Sequence, residues 1–269
     1  MCQSTRAPHK LADTYIMEFI PTDSALFRSC IDGLKEFLPT AQIHADREGL
    51  RIRGMDVSHV GFIDYFLSTK DCVELKVPSS ATVVGMNLSV LSRALASVGP
   101  GDTVTVKTAG DKLNVSYANT RASKKAEYSV PTLDCDQDVM EIPSFEYAAT
   151  VRSRTADIAA VVKEVAHFGD TVELCLDEEG FHVSVNGDIG AVKQTLENTD
   201  ERDMEMSEDS VTSKFAIKYL MNIMKSGTPL ASTMTLEFGQ AGAQPLRASF
   251  RFGNESYFVA YLAAKIDDM

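Results

Sequence analysis

Basic side chains recur at helical spacing in four separate segments of the chain. Two of these segments carry a pair of basic residues seven positions apart, and the other two carry one each. Seven residues are about two helical turns, so each pair lies on one side of its helix, away from the apolar stripe. Lysines and arginines aligned in this way could contact the phosphates of a nucleic acid. The six residues are Arg28, Lys35, Arg93, Lys163, Lys218 and Lys225.

Each of these residues also has a simpler interpretation. A single lysine or arginine on an outward helical face commonly serves only to keep a protein soluble. Four helical segments carry such residues although the chain as a whole is acidic. This concentration of basic residues on the predicted helices favours phosphate binding. With 26 basic against 38 acidic residues, its formal charge is -12. This charge excludes a protein whose whole surface coats nucleic acid or anionic lipid, so any contact with nucleic acid must be local.

No catalytic or metal-binding motif accompanies the basic residues. The five histidines form no HxH, HExxH or Cys/His cluster, and the five cysteines lack CxxC spacing. The sequence contains no glycine-rich phosphate loop and no GxSxG nucleophile motif. We predict that the protein is not an enzyme and that it has no catalytic residues, no metal site and no cofactor. The alternative to this prediction is an enzyme whose active site is assembled from residues in distant segments of the chain.

Repeated segments indicate that the basic residues belong to two similar units. Gly101–Val104 and Gly169–Val172 both have the sequence Gly-Asp-Thr-Val. When the chain is aligned with itself, the segment Asp46–Ile52 also matches Asp177–Val183. Over 269 residues, this repetition favours two domains of ordinary size, each with its own core.

Apolar residues at three- and four-residue spacings predict four amphipathic helices. The first begins behind Asp23-Ser24, which can cap an amino terminus, and continues to Leu38. Segments of alternating polarity, such as Thr103–Lys107 and Leu113–Tyr117 on either side of a turn, predict antiparallel hairpins. The predicted fold class is α+β, with the helices on one face of antiparallel sheets. The other predicted helices are Asn87 to Val98, Thr155 to His167 and Lys214 to Lys225.

A proline-bounded segment separates the two units. Between Pro131 and Pro143, acidic residues alternate with apolar ones, which predicts an extended connector. We predict an N-terminal extension over residues 1–14, a first domain over 15–130, a connector over 131–145 and a second domain over 146–269. A second acidic run, Glu197 to Asp209, is predicted to be a solvated hairpin tip. No segment has the length of a membrane span or the apolar core of a secretory signal, so we expect a soluble, intracellular protein.

Six short segments carry a family resemblance. They are Gly54–Val60, Asn87–Ser89, Ala166–Asp170, Phe215–Leu220, Thr228–Thr233 and Tyr261–Asp268. Through their order and spacing the chain resembles the proliferating cell nuclear antigen family of eukaryotic-type DNA sliding clamps, of which it would be a divergent member. Each segment alone is a weak indicator, but together they span the chain from Tyr15 to its end.

The resemblance implies two similar domains of the DNA-clamp fold, each with two helices on one face of antiparallel sheets. Chains of this family close head to tail into a homotrimeric ring around duplex DNA, and the six basic residues fall on the inner helices as contacts to the DNA backbone. Lys124–Val130 and Ala191–Leu196 would be the strands that pair between chains. The implied function is that of a processivity factor in DNA replication and repair. A clamp loader would place it on DNA in the nucleus, or at a site of viral DNA replication.

The family also docks DNA polymerase and other enzymes through a short peptide that binds an apolar pocket beneath the connector. The resemblance assigns these positions to the pocket: Met55, His59, Val60, Phe62, Met140, Ile142, Pro245, Tyr261, Ala263 and Ile266. Without the resemblance, Val60, Phe62 and Ile266 could equally be core residues, and His59 a structural histidine. Two other functions stay open, namely a subunit of a heteromeric, checkpoint-type clamp and an acidic scaffold for protein interactions.

Overall fold

The computed structural model describes residues 15–78, 81–119, 123–134 and 141–265. The extension predicted over residues 1–14 lies outside these ranges, as do Met140 and Ile266 of the predicted pocket. None of the described helices combines the length and the apolar character that crossing a bilayer requires.

The described residues form four α-helices, which overlap the four predicted segments. They are α1 (Ser24–Leu34), α2 (Leu88–Leu95), α3 (Thr155–Val165) and α4 (Ile217–Gly227). The Asp23 carboxylate accepts a hydrogen bond from the N–H of Leu26 at 2.8 Å, and the Asn87 side chain accepts one from Val90 at 2.9 Å. Short polar side chains therefore cap the first two helices.

The predicted helix boundaries differ from the structure by two or more residues at one start and at all four ends, and the fourth helix ends at Gly227, two residues after the predicted Lys225. The fourth helix begins at Ile217 and not at Lys214, because the intervening residues pair with a distant strand as far as Ala216. The first three helices end two to four residues before the predicted positions. In the first, the N–H of Phe37 donates to the carbonyl of Leu34 at 3.1 Å, the tighter bond that commonly closes a helix.

Antiparallel strands make up most of the remaining described chain. In chain order they are β1 (Tyr15–Pro21), β2 (Thr40–Ala45), β3 (Gly49–Met55), β4 (Gly61–Ser68), β5 (Cys72–Lys76), β6 (Thr82–Asn87), β7 (Thr103–Ala109), β8 (Lys112–Asn119), β9 (Lys124–Pro131), β10 (Ala149–Arg154), β11 (Thr171–Asp177), β12 (Gly180–Gly187), β13 (Gly190–Leu196), β14 (Asp203–Met206), β15 (Ser210–Ala216), β16 (Thr233–Phe238), β17 (Leu246–Phe252) and β18 (Ser256–Leu262). The predicted hairpin around Gly110 is confirmed, since β7 and β8 pair along their full length.

The strands form three sheets. One sheet has the order β5-β1-β7-β8-β9, and another has the order β13-β12-β11-β15. The central sheet has nine strands in the order β14-β10-β16-β17-β18-β4-β3-β2-β6. Strands from both halves of the chain meet in it, because β4 pairs with β18 from Gly61 opposite Leu262 to Phe66 opposite Tyr257. The two halves therefore share one hydrogen-bonded sheet.

The four helices lie side by side on one face of these sheets. Contacts between neighbours give the order α2, α1, α4, α3, so the two helices contributed by each half form one continuous layer. At the junction of the halves, Gly33 of α1 touches Ser226 of α4, whose hydroxyl donates to the Gly33 carbonyl at 3.2 Å. A Cβ atom on Gly33 would lie 2.8 Å from the Ser226 Cβ, so glycine permits this close approach.

The acidic run from Glu197 to Asp209 is largely exposed, but it is not the hairpin tip that we predicted. Its middle part is β14, which pairs with β10 at the edge of the central sheet, whereas β13 and β15 on either side belong to another sheet. Arginines hold this crossing segment in place. Arg152 binds Asp203 at 2.9 Å, and Arg202 binds Asp157 of α3 at 3.2 Å.

Candidate functional site

The six predicted basic residues all lie on the helical layer. Five of them belong to α1, α2, α3 and α4, and Lys35 directly follows the last residue of α1. The helices bury their apolar sides, for example Ile31 of α1 and Leu220 of α4, against the sheets. The four exposed members of the set are Arg93, Lys163, Lys218 and Lys225.

Arg28 and Lys35 share one carboxylate. Asp32 lies between them on α1, with oxygens 3.5 Å from the Arg28 guanidinium and 3.0 Å from the Lys35 ammonium. Arg28 also donates to the carbonyl of Val98 at 2.8 Å, and Lys35 donates to the Ser92 hydroxyl at 2.7 Å. Burial of Asp32 would raise its pKa, but the hydrogen bonds from Ser92 and Lys35 outweigh burial and lower that pKa. Part of the positive charge of α1 is therefore neutralised.

The other four basic residues are more available. Lys225 forms an exposed ion pair with Glu36 at 3.1 Å, and such a pair contributes little. The Lys218 ammonium lies 4.9 Å from the centre of the Tyr219 ring. Arg93 and Lys163 make no ion pair with any carboxylate in the described ranges. The helical layer is thus cationic only in places, because carboxylates lie next to three of its six basic residues.

An apolar cavity of about 210 Å³ lies on the sheet side of the molecule, beside the connector. All eight described members of the predicted pocket line it, namely Met55, His59, Val60, Phe62, Ile142, Pro245, Tyr261 and Ala263. The rings of Phe62 and Tyr261 meet edge to face across the β4–β18 pair, with centres 6.2 Å apart. Phe62 is therefore not a plain core residue, because it contributes to the cavity wall.

The cavity is also lined by four residues that the sequence analysis did not assign to it. They are Gly61, Glu141, Pro143 and Phe145. Three of them, Glu141, Pro143 and Phe145, lie beside Ile142 in the connector, where apolar residues among polar neighbours were the available signal. The connector thus contributes a continuous side of the cavity.

The loop between β3 and β4 is held by the carboxylate of Asp56. Backbone N–H groups of Ser58, Val60 and Gly61 donate to this carboxylate at 3.0, 2.8 and 2.6 Å. The Tyr219 hydroxyl of α4 donates to it at 3.2 Å. Although burial would raise the pKa of Asp56, these four donors lower it. The cavity wall and the helical layer are therefore connected through one charged group.

Two exposed strands end their sheets on opposite halves of the chain. β9 is the edge of the five-stranded sheet, and β13 is the edge of the four-stranded sheet. These strands contain the segments predicted to pair between chains, and Tyr128 of β9 is 39% exposed. No described strand pairs with the outer edge of either. Such edges offer unpaired backbone groups to another chain.

The described ranges contain no group of three or more histidine, cysteine, aspartate or glutamate side chains placed to hold a metal ion. The described surfaces that could bind other molecules are the cationic helical layer, the apolar cavity and the two strand edges.

Comparison with known proteins places this geometry in a family. Residues 16–141 match the family model described as proliferating cell nuclear antigen, N-terminal domain, and residues 141–266 match that of the C-terminal domain. Proliferating cell nuclear antigen 2 of Drosophila melanogaster is 26% identical over 250 residues, which cover 92% of this chain and 96% of the relative. The crystal structure of proliferating cellular nuclear antigen from Entamoeba histolytica has a TM-score of 0.86 and 21% identity, covering 94% of this chain and 100% of the other. The chain belongs to the proliferating cell nuclear antigen family and has the DNA-clamp fold.

Proposed function

We propose that this protein is a DNA sliding clamp that encircles duplex DNA as a homotrimer. The observation that carries the proposal is the continuous layer of four helices, with six basic residues on it and all three sheets on its other side. Family membership supports the same role. The role is non-enzymatic, and we place it in the nucleus, or at a site of viral DNA replication.

In the proposed ring, β9 of one chain pairs with β13 of the next. Both strands are mostly exposed sheet edges, and antiparallel pairing would satisfy their free backbone groups. Heterologous contacts of this kind close into a ring when the rotation between chains allows it. The proposed contacts to DNA are made by Arg28, Lys35, Arg93, Lys163, Lys218 and Lys225, and they are directed at backbone phosphates.

Partial neutralisation of these residues suits a protein that must slide. A ring is retained on DNA by topology, so each phosphate contact can be weak and short-lived. Asp32 and Glu36 already compete for three of the six basic groups. Strong contacts would hold the ring at one position.

We further propose that the apolar cavity binds a short peptide of DNA polymerase or of other replication and repair enzymes. Its twelve described lining residues come from β3, β4, β18, the loops beside β3, β4, β17 and β18, and the connector, and the cavity has room for apolar side chains. A clamp loader is the partner that would open the ring and close it on DNA.

The decisive experiment loads the protein onto nicked circular DNA with a clamp loader. An encircling ring should remain on the circular template and slide off when the template is linearised. Equal retention on both templates would contradict encirclement and would favour ordinary binding to the surface of DNA.

Two further measurements separate the remaining alternatives. Light scattering should give three times the chain mass of 29.4 kDa, whereas a subunit of a heteromeric ring should stay monomeric alone. Reversal of Arg28, Arg93 and Lys218 to glutamate should abolish polymerase stimulation by a clamp. The same variant would keep full activity if the protein were an acidic scaffold.

A further inference from the structure

A cross-strand row of cationic and aromatic side chains lies on the central sheet. His44 is opposite Arg51, Arg51 is opposite Phe66, Phe66 is opposite Tyr257, and Tyr257 is opposite Arg251. These five residues, here termed the outer row, belong to five adjacent strands, β2, β3, β4, β18 and β17.

The outer row lies on the face of the sheet that points away from the helical layer. Side chains alternate between the two faces of a strand. The residues next to the row, among them Ile43, Ile52, Tyr65 and Phe258, are buried in the core beneath the helices. The row itself is therefore on the opposite face, where Arg251 is exposed and the other four members are half-buried.

The two aromatic rings lie between the two arginines. The rings of Phe66 and Tyr257 have centres 5.5 Å apart, and the Arg51 guanidinium lies 5.1 Å from the centre of the Phe66 ring. Neighbouring strands are about 4.8 Å apart, so the backbones of Arg51 and Arg251 are separated by roughly 14 Å. The row therefore has a cationic group at each side of an aromatic platform.

Both guanidinium groups are free of carboxylate partners among the described residues. The carboxylates nearby have other partners: Asp64 binds Arg53 at 3.0 Å and accepts a hydrogen bond from the Tyr257 hydroxyl at 3.4 Å, and Glu255 binds Lys70. Burial and the positive charges of Arg53 and Arg51 lower the pKa of His44, in keeping with a positive potential at this place. Arg51 and Arg251 thus present uncompensated charge in a chain whose net charge is -12.

We propose that the outer row binds single-stranded nucleic acid. Unpaired bases stack on the Phe66 and Tyr257 rings and on the Arg51 guanidinium plane, while Arg51 and Arg251 contact the phosphates on either side. Duplex DNA cannot bind in this way, because its bases already stack on one another. The site is separate from the helical layer and from the apolar cavity, so the protein would hold a single strand outside the ring.

The aromatic pair is what favours nucleic acid over an acidic peptide. A peptide carboxylate would pair with the two arginines and leave both rings without a function. A nucleotide uses the two kinds of group at once, because each one carries a phosphate and a flat base.

The test is fluorescence anisotropy of labelled oligo-dT and oligo-rU with the full chain. Saturable binding of either oligonucleotide supports the proposal, and the comparison shows whether the ribose hydroxyl contributes. We expect R51S/R251S to weaken binding about tenfold at low salt and to reduce the slope of log affinity against log salt by roughly 1.4, since each phosphate contact that is removed from a single strand contributes about 0.7. F66L/Y257L keeps the apolar volume and loses stacking, so it should weaken binding about fivefold and leave that slope unchanged.

The control is K76S/K112S, which removes two exposed cations from the five-stranded sheet, away from the outer row and the helical layer, and should change binding of the oligonucleotides less than twofold. Thermal unfolding of each variant shows whether it remains folded, and the F66L/Y257L pair tests the site again if the arginine variant does not fold. A loss with K76S/K112S as large as that with R51S/R251S would overturn the proposal. Tighter binding of poly-glutamate than of either oligonucleotide would overturn it too.

Discussion

Asp71 lies in the first half of the chain, yet its carboxylate accepts hydrogen bonds from the second half. Backbone N–H groups of Asn254, Glu255 and Ser256 donate to its carboxylate at 2.7, 3.2 and 3.2 Å, and the Ser256 hydroxyl donates at 2.6 Å. Burial would raise the pKa of Asp71, but these donors outweigh burial and lower it. The charged carboxylate is therefore the form that stabilises the contact between the halves.

We expect Asp71→Asn to lower the free energy of unfolding at neutral pH by about 2 kcal/mol, because an amide is a weaker acceptor and its NH₂ group opposes the donors. A carboxyl with a lowered folded pKa stabilises the protein above its unfolded pKa of about 3.9, and that contribution is lost as the pH falls through the folded pKa. Urea denaturation should therefore show the difference between the two proteins shrinking below about pH 4. The control is Asp111→Asn at an exposed turn, and a difference independent of pH would contradict the prediction.

Gly253 and Gly110 form a matched pair for testing the surroundings of Asp71. Their φ angles are 59° and 60°, so an alanine at either position is strained. A Cβ on Gly253 would lie 2.4 Å from an Asp71 oxygen, whereas one on Gly110 would meet nothing within 4 Å. We expect Gly110→Ala to cost about 1 kcal/mol and Gly253→Ala about 3 kcal/mol, since only the second displaces Asp71. Equal midpoints in urea would contradict this account.

At the scale of elements, the loop between β3 and β4 depends on α4 for its position. We expect Tyr219→Phe to weaken binding of a clamp-binding peptide about threefold to tenfold. Asp56 loses one hydrogen-bond donor, and the loop that places Val60 in the cavity wall is then held less firmly. Isothermal titration calorimetry with the peptide measures the effect. Tyr117→Phe is the control, since Tyr117 contacts neither Asp56 nor the cavity. An unchanged affinity would show that the loop keeps its position without Tyr219.

Local patterns were sufficient to predict the helices and the β7–β8 hairpin, because both depend on neighbours in sequence. The start of α4 was not predictable in the same way. Phe215 and Tyr219 fit helical spacing, but Ala216 pairs with Thr171 of a distant strand, and that pairing keeps Lys214–Ala216 extended. The strand β14 was missed for the same reason, since its partner β10 lies far away in sequence.

The candidate site could be predicted only in part. Helical spacing gave the basic residues, and the same spacing could have shown Asp32 within reach of Arg28 and Lys35. The cavity residues came from the family resemblance, because strands that meet across the two halves carry no local signal of their meeting. The contact from Tyr219 to Asp56 joins residues of different halves and was likewise beyond local patterns.

At the scale of the whole molecule, the balance of charge on the helical layer sets the strength of its contact with DNA. We expect D32N/E36Q to bind duplex DNA more tightly, because the cations that these carboxylates neutralise become available. The slope of log affinity against log salt should steepen by about 0.9 for each additional phosphate that the variant neutralises. Diffusion of the loaded ring along DNA, followed by single-molecule tracking, should slow. Glu255→Gln, at an ion pair outside the helical layer, is the control, and a similar change with it would point to net charge alone.

The pairing of β4 with β18 has a mechanical consequence for the ring proposed above. Because the two halves share one sheet, bending a chain at its middle would break a ladder of main-chain hydrogen bonds. Each chain should therefore move as a rigid body, and the ring should bend mainly at the interfaces between chains, where β9 meets β13. A clamp loader that opens the ring would then need to break only one β9–β13 interface, and the chains on either side of it would move as rigid bodies.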